Sequence, residues 1–192
     1  MIGTMKYPIS SFLLMLALLL PAGCSNVLDE YEDYPTVDWY PVNLIVTVQD
    51  KDGKDLLDPA VKGNYFNGSS LTFQGKTYEA LELGRNESWQ QTPTKMYLAR
   101  IKGFRLAYDT IYINETETRE CYFLVFGQID GARDMDEDLI LTWPDGSEET
   151  IHYHCSKHKV EKNRKSGDWN VSCERSWTLN GEEAGNPFLF VK

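Results

Sequence analysis

Residues 42–49 read VNLIVTVQ, and that octet decides the fold. Val42, Leu44, Val46 and Val48 alternate with Asn43, Ile45, Thr47 and Gln49. A repeat of two sends successive side chains to opposite faces of an extended chain, so the octet reads as a β-strand. Asp52-Gly53 follows it. That pair turns the chain back, because glycine accepts the positive φ a tight turn needs.

The same grammar recurs downstream. Leu71–Phe73 and Thr77–Leu81 read as two short strands around Gly75-Lys76, and Arg85–Thr94 as a polar loop carrying Trp89. Lys95–Ile101 and Phe104–Ile113 are strand-like, separated by Gly103, and Asn114–Arg119 is a polar turn. Cys121–Phe126 is almost wholly apolar, the pattern of a central strand buried on both faces. Gly127–Asp138 reads as an acidic loop. Leu139–Trp143 and Thr150–Ser156 flank Pro144-Asp145-Gly146, a hairpin turn. Lys157–Gly167 reads as a basic loop, Trp169–Leu179 as an alternating strand, Asn180-Gly181 as a turn and Phe188–Val191 as a last strand. No stretch has a convincing helical period. Turn signals return about every 8 to 15 residues, which predicts an all-β chain built as a single antiparallel β-sandwich.

The run VTVQDKDGKDLLDP, residues 46–59, resembles the first hairpin of prealbumin-like and other immunoglobulin-like sandwich modules. That resemblance implies a sandwich domain over residues 39–192.

The start of the chain has another logic. Lys6 supplies a positive charge, Ile9–Leu20 an apolar core, and Ala22-Gly23 small residues before a cut. The apolar run is about a dozen residues, short of the roughly 20 a spanning helix needs. Leu20-Pro21-Ala22-Gly23-Cys24-Ser25 resembles a bacterial lipobox, departing from the usual pattern at Pro21. The resemblance implies a signal peptide over 1–23, cleavage before Cys24, lipid attachment to its sulfur, and a membrane held through acyl chains. Residues 24–38 are acidic and poor in aliphatics, the composition of a tether. Acidic residues soon after such a cysteine also resemble the surface-export signals of Bacteroidetes lipoproteins. The expected location is therefore the bacterial outer membrane, at the cell surface or periplasmic face.

The chain has 192 residues and a formal net charge of −10. That sign excludes nucleic acid as an expected partner and argues against electrostatic adhesion to anionic lipid. Hydrophobic residues make up 42%, ample for one core.

Candidate chemistry is sparse. With Cys24 acylated, three cysteines remain, Cys121, Cys155 and Cys173. A hairpin centred on Arg164 sets Cys155 opposite Cys173, Ile151 opposite Trp177 and Tyr153 opposite Arg175, so a Cys155–Cys173 disulfide is expected in an exported chain. Cys121, among apolar neighbours, reads as a core thiol. The loop at the tip of that hairpin gathers Lys157, Lys159, Lys162, Arg164 and Lys165 against Glu161.

His152 and His154 share a strand face, and the same register sets Glu174 across from His154. Two histidines and a carboxylate suit a metal, but the register that buries the cysteine face already predicts an exposed polar face there, and no metal is expected. Asp50, Asp52 and Asp55, and Asp130, Asp134, Asp136 and Asp138, cluster around glycines without calcium-loop spacing, so they read as turn formers. No GxSxG, HExxH, P-loop or GxGxxG motif occurs, and the chain is expected to be no enzyme and to carry no cofactor.

Trp39, Trp89, Trp143, Trp169 and Trp177 are many for this length, and Trp89 is the one placed in a loop, where rings stack on sugars. Asp109-Thr110-Ile111 resembles the O-glycosylation pattern of exported Bacteroidetes proteins. Together these features resemble small exported lipoproteins of that group. They lead to a lipid-anchored, non-catalytic binding or interaction module for a protein or glycan ligand. An accessory carbohydrate-binding lipoprotein of a glycan-uptake system comes second, and a hydrolase with an unrecognised site third.

Overall fold

A computed structural model describes residues 41–90, 101–130, 134–162 and 169–192; the side chains of 157–162 and 169–171 are not among those described. The leader, Cys24, the 24–38 tether, Trp39 and most of the expected Lys95–Ile101 strand lie outside these residues. The described residues all belong to one unit, Thr36–Lys192.

Among them the regular elements are all strands: β1 (Asn43–Gln49), β2 (Ser70–Phe73), β3 (Lys76–Glu82), β4 (Phe104–Tyr112), β5 (Thr118–Gly127), β6 (Met135–Thr142), β7 (Glu148–Lys162), β8 (Trp169–Leu179), β9 (Glu182–Ala184) and β10 (Phe188–Val191). The all-β expectation holds.

The two-sheet antiparallel sandwich does not. The strands form one ten-stranded ladder in the order β10-β1-β5-β4-β3-β2-β6-β7-β8-β9. Two of its pairs are parallel, β1 with β10 and β3 with β4. The sheet curls until it nearly closes into a barrel. Phe188 of β10 meets Trp177 of β8 edge-on at 5.8 Å, and Lys192 beyond β10 reaches Glu149 of β7 at 3.1 Å. Alternation marks a strand as half-buried but says nothing of its neighbour's direction. The parallel β3/β4 pair follows from the long connection over 83–103, because only a crossover can return the chain in the same sense.

Turn chemistry works as residue type demands. Gln74 and Gly75 hold φ of 49° and 73°, the left-handed pair that closes the β2–β3 hairpin. The Asn114 side chain accepts from the amides of Thr116 and Glu117 at 3.0 and 2.9 Å, capping the β4–β5 turn. β6 begins at Met135, inside the stretch expected to be loop, and β7 continues to Lys162 through half of the expected basic loop. At the start of β6 the exposed Asp136 and Asp138 sit on an extended chain, so polarity alone did not mark a loop.

The core lies on the concave face, where Leu44, Val46, Val48, Phe104, Leu106, Leu124 and Phe126 meet Leu71, Leu139, Leu141, Trp143, Ile151, Tyr153 and Trp177. β5 runs between β1 and β4, as a central strand should. Its other face is buried too. Cys121, Phe123 and Val125 join Ala107 and Ile111 of β4 in a second apolar cluster.

Candidate functional site

That second cluster lies beside a cleft on the outer face of the sheet. After β3 the chain crosses the outer face of β4 and β5. The Leu83 amide donates to the Leu106 carbonyl at 3.0 Å, and Glu87 closes a turn by accepting from the Gly84 amide at 3.0 Å. Trp89 then lays its ring edge-on against Phe123, centroids 5.0 Å apart. Its indole N–H donates to Asp109 Oδ2 at 3.0 Å, and its carbonyl accepts from Asn43 Nδ2 at 2.7 Å. Two contacts thus hold the side chain and a third holds the backbone of a residue that sequence reading placed in a polar loop.

The cleft beside it has a volume of about 460 Å³, and its walls include Asn43, Glu87, Ser88, Trp89, Lys102 and Arg105. Arg105 projects from β4 on the face of Val125. Its Nε is buried with no hydrogen-bond partner. The nearest acid is Glu87, whose Oε2 lies 3.5 Å from that nitrogen, with the Arg105 side chain 23% exposed. Lys102 Nζ reaches the Ser88 carbonyl at 3.5 Å. Gly127 forms part of the wall, and a Cβ there would stand 2.0 Å from Asn43 Oδ1. Sequence reading singled out Trp89 but not its partners, which converge from β1, β4 and the crossover.

A second constellation lies inside the barrel. Asp130, 1% exposed, accepts from Arg175 Nε and Nη2 at 3.1 and 2.8 Å and from the Tyr153 hydroxyl at 3.0 Å, all on Oδ2. Its Oδ1 accepts from the Val42 amide at 2.6 Å. Burial, then the Asp130 charge, pushes the Tyr153 hydroxyl well above its ordinary range. Burial alone would lower the Arg175 guanidinium, but the Asp130 charge and hydrogen bonds raise it. This is a structural clasp between the ends of β1 and β5 and the β7–β8 pair, and it takes Asp130 out of the expected acidic turn cluster.

The thiol register differs from expectation by two residues. Cys155 faces Arg175, Lys157 faces Cys173, Tyr153 faces Trp177 and Ile151 faces Leu179. A bulge between Lys159 and Glu161 shifts the pairing near the tip. Packing decided the slip: Tyr153 and Trp177 stack at 4.3 Å, and Arg175 comes within reach of Asp130. A slip of two leaves every side chain on its expected face. Cys155 and Cys173 are therefore diagonal neighbours, their sulfurs 3.0 Å apart, beyond the roughly 2.05 Å of a disulfide bond. Cys121 is buried in the second cluster, and burial followed by the Asp55 charge pushes its thiol up to about 11.

His152 and His154 do share an exposed face, but Glu174 faces Ser156 rather than His154. Their partners come from β6. His152 Nδ1 meets Asp138 at 2.8 Å, and Asp136 Oδ1 meets His152 Nε2 at 3.0 Å and His154 Nδ1 at 3.2 Å. Among the described residues no group of three or more such side chains is arranged to hold a metal. Asp50 and Asp55 serve the backbone. Asp50 accepts from the amides of Asp52 and Lys54, both at 2.9 Å, and Asp55 from Leu57 and Tyr122 at 2.9 and 2.8 Å. Trp143 and Trp177 are core. Thr110 is exposed in β4, its amide bonded to Asp109 Oδ1 at 2.8 Å.

No protein-family model, curated protein or solved structure matches the chain.

Proposed function

We propose that this chain is an exported, lipid-anchored, non-catalytic binding module, held to the outer membrane through Cys24, whose ligand seats in the cleft beside Trp89. One observation carries the reading: a cleft of about 460 Å³ on the outer face of the sheet, with an indole held in place by Asp109 and Phe123 and its backbone carbonyl by Asn43. Small-molecule sites run from about 300 to 1,000 Å³ and combine an apolar wall with a few placed polar groups. A ring already fixed before binding loses little entropy when a ligand lands on it. The anchor half of the proposal rests on Ala22-Gly23-Cys24 after the apolar run.

The second reading, an accessory carbohydrate-binding lipoprotein, is favoured by Trp89 itself, since an indole next to amide, hydroxyl and cationic side chains suits a polyhydroxylated ring.

The test has two arms. Cys24→Ser should abolish acyl labelling and release the protein from membranes; unchanged partitioning would sink the anchor. For the cleft, the Trp89 indole N–H resonance of the purified full chain, assigned with Trp89→Phe, should shift on titration with members of an oligosaccharide and small-metabolite panel. A panel that binds but leaves that resonance in place would move the site elsewhere.

A further inference from the structure

We propose that the ligand of this cleft carries a planar carboxylate that seats on Arg105, as on a uronic acid or another sugar acid. The inference rests on the cleft being the binding site, and it names the chemistry that site would take.

Arg105 is the reason. A guanidinium presents five N–H donors in a rigid fork and accepts nothing. Native proteins rarely leave buried donors without acceptors, and each exception calls for an explanation. Arg105 has a buried Nε with no acceptor, in a side chain 23% exposed, on the wall of a cleft. Glu87 neutralises some of its charge, but at 3.5 Å its oxygen is too far for a good hydrogen bond. A carboxylate entering the cleft would bring acceptors to the guanidinium, whose fork suits bidentate pairing.

The surroundings narrow the class. Lys102 adds a second cation to the lining, against Glu87 as its acid. On a chain of net charge −10 a cationic wall is a local exception, and in a cleft it concentrates anions that the rest of the surface repels. Asn43, Ser88 and Glu87 bring amide, hydroxyl and carboxylate groups to the same space, which suits the hydroxyls of a sugar ring beside Trp89. The fork can pair with two oxygens of a carboxylate or of a tetrahedral oxyanion, and the sulfated members of the test below decide between them.

An array of neutral, carboxylated and sulfated oligosaccharides probed with the detergent-solubilised full chain tests this. Signal is expected on carboxylated members, with affinity falling about tenfold or more on their carboxyl-reduced counterparts, a loss of about 1.4 kcal/mol or more. Arg105→Lys keeps the charge and loses the fork, so the preference should shrink. Arg105→Gln should erase it while melting near the parent temperature. Equal binding of acid and reduced partners, or preference for sulfated members, overturns the carboxylate and leaves the cleft standing. No signal on any member, with Trp89 unmoved, overturns the cleft reading as well. Should Arg105→Gln fail to fold, the acid-against-reduced comparison on the parent chain still decides.

Discussion

Arg175 holds the buried carboxylate of Asp130 through both Nε and Nη2, at 3.1 and 2.8 Å on one oxygen. The bond ties β8 to the chain just after β5, two elements far apart in the ladder. Tyr153 donates to the same oxygen, and the Val42 amide to the other. The carboxylate is thus satisfied from three strands or their ends.

Asp130→Asn should therefore destabilise the fold by about 3 kcal/mol, the low end for breaking a buried pair. The low end applies because Arg175 is 32% exposed on its side chain and regains some water. Urea unfolding should show a lower midpoint with an unchanged slope. A loss below about 1 kcal/mol would show that the clasp is incidental.

Cys155 and Cys173 should join under oxidation despite their diagonal register. Diagonal neighbours lie about 7–8 Å apart at Cα, beyond the roughly 7 Å that a bridge spans without backbone movement, but their sulfurs already stand 3.0 Å apart. A reactive disulfide on a thiol oxidase of the exporting compartment would take the two electrons and leave as a dithiol. Unreduced peptide mapping should link Cys155 to Cys173 and leave Cys121 as a thiol. The gain should fall short of the ~3 kcal/mol that loop closure alone gives, because the strands must draw together. A link from Cys121 to either partner would overturn the pairing.

The β6–β7 face should be most stabilising in mildly acidic solution. Hydrogen bonding to Asp138, then to Asp136, raises the His152 imidazole above its usual 6.5. That contribution is complete below 6.5 and disappears as pH rises through the folded value. Hydrogen bonding from His154, then from His152, lowers Asp136 below its usual 3.8. Its contribution is present above 3.8 and disappears as pH falls through the folded value. The pair therefore acts together between those limits. Imidazole proton shifts should place His152 above the free value, and Asp138→Asn should bring it down. An unmoved His152 midpoint in that variant would contradict the assignment.

Gly127→Ala should disturb the cleft more than the barrel. The new methyl would meet Asn43 Oδ1 at 2.0 Å and its Cα at 3.0 Å. Asn43 must move, and with it the hydrogen bond that holds the Trp89 carbonyl. Overpacking of this kind costs about 1–3 kcal/mol. The Trp89 indole resonance should broaden or shift while the core aromatic signals of Tyr153 and Trp177 stay in place. An unchanged Trp89 signal would show that Asn43 does not position it.

Local pattern carried the strands, since alternation and turn residues act within a few positions of each other. VNLIVTVQ is β1 to within a residue, and Trp169–Leu179 is β8 as its alternation indicates. The apolar Cys121–Phe126 run announced a strand covered on both faces, and it is one. Face assignment also survived, because pleating sets it and a two-residue slip preserves it: Tyr153, Cys155, Cys173, Arg175 and Trp177 share the side that alternation assigned them. What alternation does not encode is which strand lies beside which, in what direction and at what register. Those depend on contacts between residues distant in sequence. Tyr153 stacking on Trp177 and Arg175 reaching Asp130 chose the β7–β8 register, and the crossover over 83–103 made β4 parallel to β3. The cleft belongs to that second kind of information. Asn43, Trp89 and Arg105 meet only because β1, β5 and β4 lie side by side and the crossover folds onto their outer face.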